Sequence, residues 1–122
     1  MINWAAPETI PPQHRSRIFH AHNANVTLMR STADELAAAG ERIAEQLNRS
    51  CGQVRLLMPL GSLSMIDAPG QPFHDPNADA VLFEPLERLF VQSETHRLLA
   101  LPHHINDPAF SDAVAVQLRQ IL

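Results

Sequence analysis

The run Val54-Arg55-Leu56-Leu57-Met58, closed by Pro59, decides the fold class of this chain. It is short and largely apolar, and such runs are typical of strands buried inside parallel sheets. The preceding residues, 33–49, place apolar side chains at helical spacing and open with a capping box formed by Thr32 and Glu35. A helix that leads directly into a buried strand indicates an α/β fold.

A second helix is predicted further along the chain. Asp75 and Pro76 have the residue types of an N-cap and a first helical position, and apolar residues recur at helical spacing from there to Phe90. Pro85 interrupts this pattern, because proline lacks a backbone N–H and its ring collides with the preceding turn. We therefore expect the helix to bend or break near Phe83.

A third helix and two further strands complete the predicted architecture. Residues 17–22 and 97–101 form short apolar runs, and Asp107 and Pro108 open the last helix. The residues that this helix is expected to bury are Phe110, Val114, Leu118 and Ile121. The order β-α-β-α-β-α predicts a small parallel sheet of about three strands with helices packed on it, similar to half of a Rossmann-like or flavodoxin-like fold.

The chain divides into an arm and a lobe. Residues 1–16 contain three prolines and no periodicity, which indicates an extended arm or linker, and residues 17–122 form the α/β lobe. A parallel sheet of three strands is thin, since parallel sheets are normally buried on both faces and have more members. We therefore expect a second copy of the chain, in a homo-oligomer, or a missing amino-terminal lobe to complete at least one edge.

The composition limits the classes of function. The chain has 45% hydrophobic and 18% charged residues and no apolar run near the roughly 20 residues of a membrane span, so we expect a soluble protein with no membrane segment. Its start lacks the features of an export signal, which favours the cytoplasm. The net charge is −4 and the nine basic residues are scattered arginines, which argues against nucleic-acid binding. The lack of lysine excludes Schiff-base chemistry and the lysine-dependent phosphate loop within this chain.

Polar residues follow each predicted strand. Ligands of open parallel sheets bind outside the carboxyl ends of the strands, so we expect these polar residues to share one edge. Five of the seven histidines fall in such positions. The predicted ligand-binding residues are His22, Asn23, Asp67, Gln71, His74, His103, His104 and Asn106.

Catalytic and metal sites are less well supported by the pattern. His20 and His22 do not match a strong zinc spacing, and the adjacent His103 and His104 would point to opposite sides of an extended backbone. The turn at Ser62 lacks the second glycine of a nucleophile elbow. Helix N-termini at this edge could instead donate to a small anionic ligand. The sequence therefore predicts no catalytic residue and no metal ligand.

Four stretches resemble a known family: residues 7–11, 23–30, 67–76 and 101–110. They look like the uncharacterised protein family that includes the ATP-binding domain of the tomato mosaic virus resistance protein. The resemblance implies that this chain is the carboxy-terminal lobe of a longer, cytoplasmic, dimer-forming protein with two α/β lobes. It also implies binding of ATP with magnesium, held mainly by the amino-terminal lobe. The chain departs from the family at Gly61-Ser62, where a basic residue followed by glycine is usual.

These observations lead to two hypotheses. The first is a ligand-binding or dimerisation lobe of a larger ATP-binding family protein, with a polar cleft at the carboxyl edge of the sheet. The alternative is an enzyme that acts on a small anionic metabolite and uses a histidine as general acid or base. The lack of lysine, of a nucleophile elbow and of metal-spaced ligands favours binding.

Overall fold

The computed structural model describes the whole chain from Met1 to Leu122. Three short strands between residues 2 and 29 form an antiparallel sheet. Its strands are β1 (Ile2–Trp4), β2 (Phe19–Asn23) and β3 (Val26–Met29), with β3 in the middle. Asn23 holds the turn between β2 and β3, because its Oδ1 accepts a hydrogen bond from Asn25 N at 2.9 Å. Met29 is fully buried at the end of β3, so this sheet packs into the core.

The pairing of β2 corrects the predicted topology. The sequence predicts residues 17–22 as a strand of a three-stranded parallel sheet, but β2 runs antiparallel to β3 and lies in a different sheet from the later strands. Two residues, Ala24 and Asn25, connect β2 to β3. Such a short connection permits a hairpin, whereas a parallel pair needs a crossover of a dozen or more residues. The fold is therefore mixed α/β, with an antiparallel sheet and a separate two-stranded parallel sheet.

The amino-terminal segment is attached to this antiparallel sheet through β1. β1 pairs with β3 and sets Ile2 opposite Met29. Two short 3-10 turns, Pro7–Thr9 and Pro12–His14, follow β1, and each begins at a proline. The division at residue 16 into an arm and a lobe stays a prediction.

The two later strands are confirmed. They are β4 (Val54–Pro59) and β5 (His96–Leu101), which pair in parallel. The pairing continues past both strands, since Gly61 N donates to His103 O at 2.9 Å and Ser62 forms an isolated parallel bridge with His104. The loop after β4 and the turn after β5 are therefore held side by side.

The outer edge of β4 is open. The hydrogen bonds to β5 come from even-numbered residues of β4, as in the 2.8 Å bond from Val54 N to Thr95 O. Because alternate residues of a strand face opposite neighbours, Arg55 and Leu57 turn their N–H and C=O groups to the other side. No strand pairs with β4 on that side.

The outer edge of β5 is covered by the segment that precedes it. Gln92 Oε1 accepts a hydrogen bond from Leu98 N at 3.1 Å, and Ser93 Oγ accepts one from His96 N at 3.1 Å. Ser93 N in turn donates to His96 O at 2.8 Å. The outward N–H groups of β5 at these positions are therefore satisfied within the chain.

The three helices are α1 (Ala33–Asn48), α2 (Pro76–Leu89) and α3 (Pro108–Arg119). The predicted capping box of α1 is confirmed, since Glu35 N donates to Thr32 Oγ1 at 3.2 Å and Thr32 N donates to Glu35 Oε2 at 2.9 Å. The predicted N-cap of α2 is also confirmed, since Ala78 N donates to Asp75 Oδ1 at 3.0 Å. Both helices thus begin where side chains satisfy first-turn N–H groups.

Pro85 does not break α2, so of the predicted bend or break near Phe83 the break is wrong. The helix runs through this residue, which is buried. Pro85 lies at the contact with α1, where a Cβ added to Gly40 would stand 3.3 Å from the Pro85 Cβ. Apolar contact between the proline ring and α1 offsets the missing backbone hydrogen bond.

The main apolar core lies between α1, α2 and the parallel sheet. Its buried members are Ala44, Val54, Met58, Phe83, Leu86 and Phe90. α3 contributes less than predicted: it buries Phe110, but Val114 is 42% exposed and Leu118 is 50% exposed. The apolar side chains of α3 lie on more than one side of the helix. Within this chain α3 packs against β4, which covers one of those sides.

Candidate functional site

A cavity of about 230 Å³ lies beyond the carboxyl end of β4. We call it the carboxyl-edge cavity; its lining residues are Leu60, Gly61, Ser62, Asp67, His74, Pro76, Asp79, Ala80 and Phe83. The loop between β4 and α2 supplies most of this lining. Phe73 anchors that loop, because it is buried and its ring meets the His20 ring edge-on at a centroid distance of 6.3 Å. The antiparallel sheet therefore helps to position the cavity.

Three charged side chains form a buried cluster beside this cavity. Arg30, at the end of β3, is 9% exposed, while Asp67 is 2% exposed and Asp79 is 7% exposed. Arg30 Nη2 lies 2.7 Å from Asp79 Oδ1 and 3.7 Å from Asp67 Oδ1. The second oxygen of Asp67, Oδ2, accepts a hydrogen bond from Leu63 N at 3.0 Å. The cluster therefore joins β3, the loop after β4, and α2.

The charges of this cluster do not balance. Burial raises the pKa of the Asp79 carboxyl; Arg30 opposes this increase, and Asp67 adds to it. One guanidinium thus faces two carboxyl groups, and Asp67 Oδ1 has no hydrogen-bond partner. The Met1 amino group is also within electrostatic range, and its pKa is lowered by burial and then by Arg30. Buried charge without full compensation is costly, so the cavity wall has unused capacity to accept hydrogen bonds.

His74 presents an unused ring nitrogen at the cavity. Its Nδ1 lies 3.0 Å from Asp67 O. Since a carbonyl oxygen can only accept, Nδ1 carries a proton, and in the neutral ring Nε2 has a free lone pair. The side chain is exposed, so a ligand can reach it. This places two of the predicted residues, Asp67 and His74, at one cavity.

His104 has the opposite arrangement. Its Nδ1 accepts a hydrogen bond from Asn106 N at 2.9 Å, so Nε2 carries the proton and donates to Ser64 O at 3.1 Å. The backbone N–H of His104 donates to Asp107 Oδ2 at 2.8 Å. Both ring nitrogens are therefore engaged within the chain. His104 and Asn106 hold the turn after β5 against the loop after β4.

The remaining predicted residues lie apart from the cavity lining. His22 and Asn23 are exposed on the β2–β3 hairpin, and Asn23 serves its turn. Gln71 is exposed, and its backbone N–H donates to Ala68 O at 2.9 Å. His103 is half-buried and contributes its carbonyl oxygen to Gly61. Their roles in ligand binding stay predictions.

A second cavity, of about 590 Å³, lies where α1 and α2 begin. The N-termini of α1 and α2 meet at this cavity. Arg17 and Arg30 both line it, but Arg17 Nη2 is 2.7 Å from Glu35 Oε2, and Arg30 is paired with Asp79. The Arg17 hydrogen bond, followed by that from Thr32, lowers the pKa of Glu35 to about 2. The two basic side chains that line this second cavity, Arg17 and Arg30, are therefore already paired with carboxylates.

Sequence reasoning missed Arg30 and Asp79. Asp79 carried a usable signal, since it stands four residues before Phe83 and therefore on the apolar side of α2. A charged residue on an apolar helix face needs a buried partner. Arg30 had no comparable signal, because its partner lies 49 residues away along the chain.

The structure contains no cluster of three His, Cys, Asp or Glu side chains that could hold a metal ion. None of its helices is long and apolar enough to cross a membrane. The acidic pair at the cavity is therefore short of the ligands that a protein metal site usually supplies.

Comparison with known proteins identifies the family. All of residues 1–122 match the C-terminal domain of the uncharacterised protein family UPF0261. The chain belongs to this family. A UPF0261 protein of Rhizobium meliloti is 46% identical over 121 residues, which is 99% of this chain and 30% of that protein. A UPF0261 protein of Clostridium tetani is 36% identical over 118 residues, covering 97% of this chain and 29% of that protein.

The ToMV resistance protein Tm-1 of Solanum lycopersicum is also similar to this UPF0261 domain. It is 37% identical over 121 residues, which is 99% of this chain and 16% of the tomato protein. This match confirms the relationship that the sequence stretches indicate. The chain spans at most 30% of the length of the relatives described here.

Proposed function

We propose that this UPF0261 domain is the ligand-binding lobe of a longer protein and that a small polar ligand occupies the carboxyl-edge cavity. The observation that carries this proposal is the state of Asp67. It is 2% exposed, lines the cavity and leaves Oδ1 without a hydrogen-bond partner. An unsatisfied buried acceptor costs about 1–3 kcal/mol, which a ligand donor would recover.

The open edge of β4 supports the second part of this proposal. Arg55 and Leu57 turn unpaired backbone groups outward there, whereas the segment before β5 covers the other edge. The relatives contain more than three times as many residues as the matched region. We assign the uncovered edge and the apolar side of α3 to the rest of such a longer protein.

Light scattering tests this assignment of the edge. We expect the isolated domain to be a monomer at low concentration and to bind the remaining part of a UPF0261 protein when the two are mixed. A stable dimer of the isolated domain, with no binding of that part, would instead support the homo-oligomer that the thin sheet also predicts.

ATP with magnesium, which the family resemblance implies, does not fit the carboxyl-edge cavity. The cavity measures about 230 Å³, and its two carboxylates would repel phosphate groups. The chain also lacks a cluster of three metal-binding side chains. If a longer UPF0261 protein binds ATP, the carboxyl-edge cavity is therefore not the site that holds the nucleotide.

The ligand-binding proposal is tested by amide NMR with a panel of small polar metabolites. We expect at least one compound to shift the amide signals of Ser62, His74 and Ala80 together. Ala80 is exposed and lines the cavity, so Ala80→Leu should fill the entrance and abolish the shifts without disturbing the core. Shifts that persist in Ala80→Leu, or a panel without any cavity response, would contradict the proposal.

An enzyme is the second candidate, and the free Nε2 of His74 favours it. A histidine whose Nδ1–H is held by a carbonyl is oriented to take a proton at Nε2. We would follow the same panel for chemical conversion and compare the unmodified chain with His74→Gln. Conversion that stops in the variant while binding persists would support catalysis, whereas equal conversion would contradict a role for His74.

A further inference from the structure

We propose that the ligand of the carboxyl-edge cavity is a protonated amine, held by the carboxylates of Asp67 and Asp79, with the His74 ring lining the same cavity. This inference rests on the proposed binding function and names the chemistry of the ligand. It departs from the anionic ligand that the sequence predicts for this edge.

The hydrogen-bonding capacity of the lining side chains favours a ligand that donates. Ser62 is buried, and its hydroxyl already donates to Ser64 O at 3.0 Å. His74 uses its Nδ1–H on Asp67 O, so in the neutral ring the remaining nitrogen is an acceptor. Asp67 Oδ1 has no hydrogen-bond partner, and Arg30 Nη2 lies 3.7 Å from it. The side chains that remain free at this cavity are therefore acceptors, and an ammonium group with three donors complements them.

The charge of the buried cluster leads to the same ligand class. Arg30 is the one basic side chain in ion-pair contact with Asp67 and Asp79, and all three residues are more than nine-tenths buried. When both carboxyl groups are ionised, Arg30 is the one group in ion-pair contact with two negative charges, and the Met1 amino group is in electrostatic range without an ion pair to either. An amine cation would add positive charge beside the two carboxylates, whereas an anion would add a third negative charge.

The volume limits the size of the amine. A water molecule occupies roughly 30 Å³ in the liquid, so about 230 Å³ accommodates roughly eight groups of that size. The apolar lining residues, among them Leu60 and Phe83, suit a short carbon chain beside the charged end. A small primary amine such as ethanolammonium satisfies both limits.

The experiment is an amide NMR titration of the 122-residue chain with three compounds of similar size and different charge. Ethanolammonium is the cation, ethylene glycol the neutral compound and acetate the anion. We expect ethanolammonium to shift the signals of Ser62, His74 and Ala80 in a saturable manner. We expect the other two compounds to leave these signals unchanged at the same concentration.

Variants then test the residues. Asp79→Asn should weaken ethanolammonium binding roughly tenfold or more, because a hydrogen bond to a charged group is lost. Glu87→Gln is the matched control, since it removes a negative charge from an exposed position of α2 and should bind as the unmodified chain does. If Asp79→Asn does not fold, His74→Gln replaces it as the test, because His74 is exposed, and it should weaken binding roughly threefold to tenfold.

The possible results separate the two proposals. Shifts caused by acetate or ethylene glycol and not by ethanolammonium would overturn the amine but leave a binding cavity in place. Equal ethanolammonium binding by Asp79→Asn and the unmodified chain would also overturn the amine. No cavity response to any of the three compounds would overturn the amine and count against a ligand-binding cavity.

Discussion

Gly61 and His103 are in direct backbone contact. Gly61 N donates to His103 O at 2.9 Å, and a Cβ added to Gly61 would lie 2.6 Å from the His103 carbonyl carbon. This distance is shorter than any normal contact of a Cβ, and the obstructing atoms belong to the backbone. Any side chain at position 61 would therefore push apart the two segments that follow β4 and β5.

Gly61→Ala should destabilise the domain by about 1–3 kcal/mol, since the backbone must shift to admit the methyl group. Urea denaturation followed by circular dichroism measures the effect. Gly52→Ala is the matched control, because no atom lies within 4 Å of a Cβ at that position. That control should be neutral or stabilise the fold by up to about 1 kcal/mol. Equal stability of the two variants would contradict the contact at Gly61.

Gly40→Ala tests the packing of α1 against α2. A Cβ at Gly40 would lie 2.5 Å from Leu82 O, so the helices must separate. Alanine gains about 1 kcal/mol in helix propensity over glycine, but the steric cost should exceed this gain. We expect a lower urea midpoint. A higher midpoint would show that propensity dominates and that the helix contact is adaptable.

Arg30→Met should be among the most destabilising single substitutions in this chain. It removes the guanidinium that lies 2.7 Å from Asp79 Oδ1 and leaves two buried carboxyl groups without a basic partner. The expected cost is about 3–5 kcal/mol at neutral pH. A second change, Asp79→Asn, should recover part of this loss. If the double variant is no more stable than Arg30→Met, the cluster is not held by charge pairing.

The lowered pKa of the Glu35 carboxyl predicts that the domain loses stability in acid. Its hydrogen bond from Arg17 is the main cause of the lowered folded-state pKa of about 2, against an ordinary value of 4.5. The ionised Glu35 carboxyl stabilises the folded state fully above pH 4.5. This contribution to the unfolding free energy is lost as the pH falls from 4.5 through about 2. Glu35→Gln should therefore flatten the decline of unfolding free energy in this window. Glu45→Gln, an exposed change on the same helix, should leave the decline intact.

His103 and His104 should respond differently to replacement by alanine. His104→Ala removes the hydrogen bonds from Asn106 N and to Ser64 O, and the expected cost is about 1–2 kcal/mol. The His103 side chain makes no hydrogen bond, so His103→Ala should change stability by less than about 0.5 kcal/mol. Thermal unfolding compares the two. Equal losses would contradict the fixed ring of His104.

Local chemistry made part of the fold predictable from the sequence. The capping box of Thr32 and Glu35 and the cap at Asp75 involve residues three apart, and both are formed. The strands β4 and β5 also lie where their apolar runs predict. The uninterrupted course of α2 was not predictable, because it depends on packing between Pro85 and Gly40 of another helix.

The candidate site was predictable in its location more than in its members. The rule for carboxyl ends of strands predicts Asp67 and His74 at this edge, and the structure brings both to one cavity. It also named His104, whose ring is used to hold the backbone, because residue type alone does not show which partners a histidine has. Arg30 and Asp79 form their contact across 49 residues, and no local pattern contains it.

The two edges of the parallel sheet differ, because the β5 edge has hydrogen-bond partners and the β4 edge has none. This difference affects how the domain behaves when it is produced alone. An apolar strand with unpaired outward amides is a template for other extended chains, so concentrated preparations will be prone to aggregation along β4 rather than β5. Leu57 offers a remedy because its N–H points away from β5. A proline there would remove one templating donor and retain the ladder between the two strands. Protein engineers could thus obtain a better-behaved reagent from a change to one backbone position.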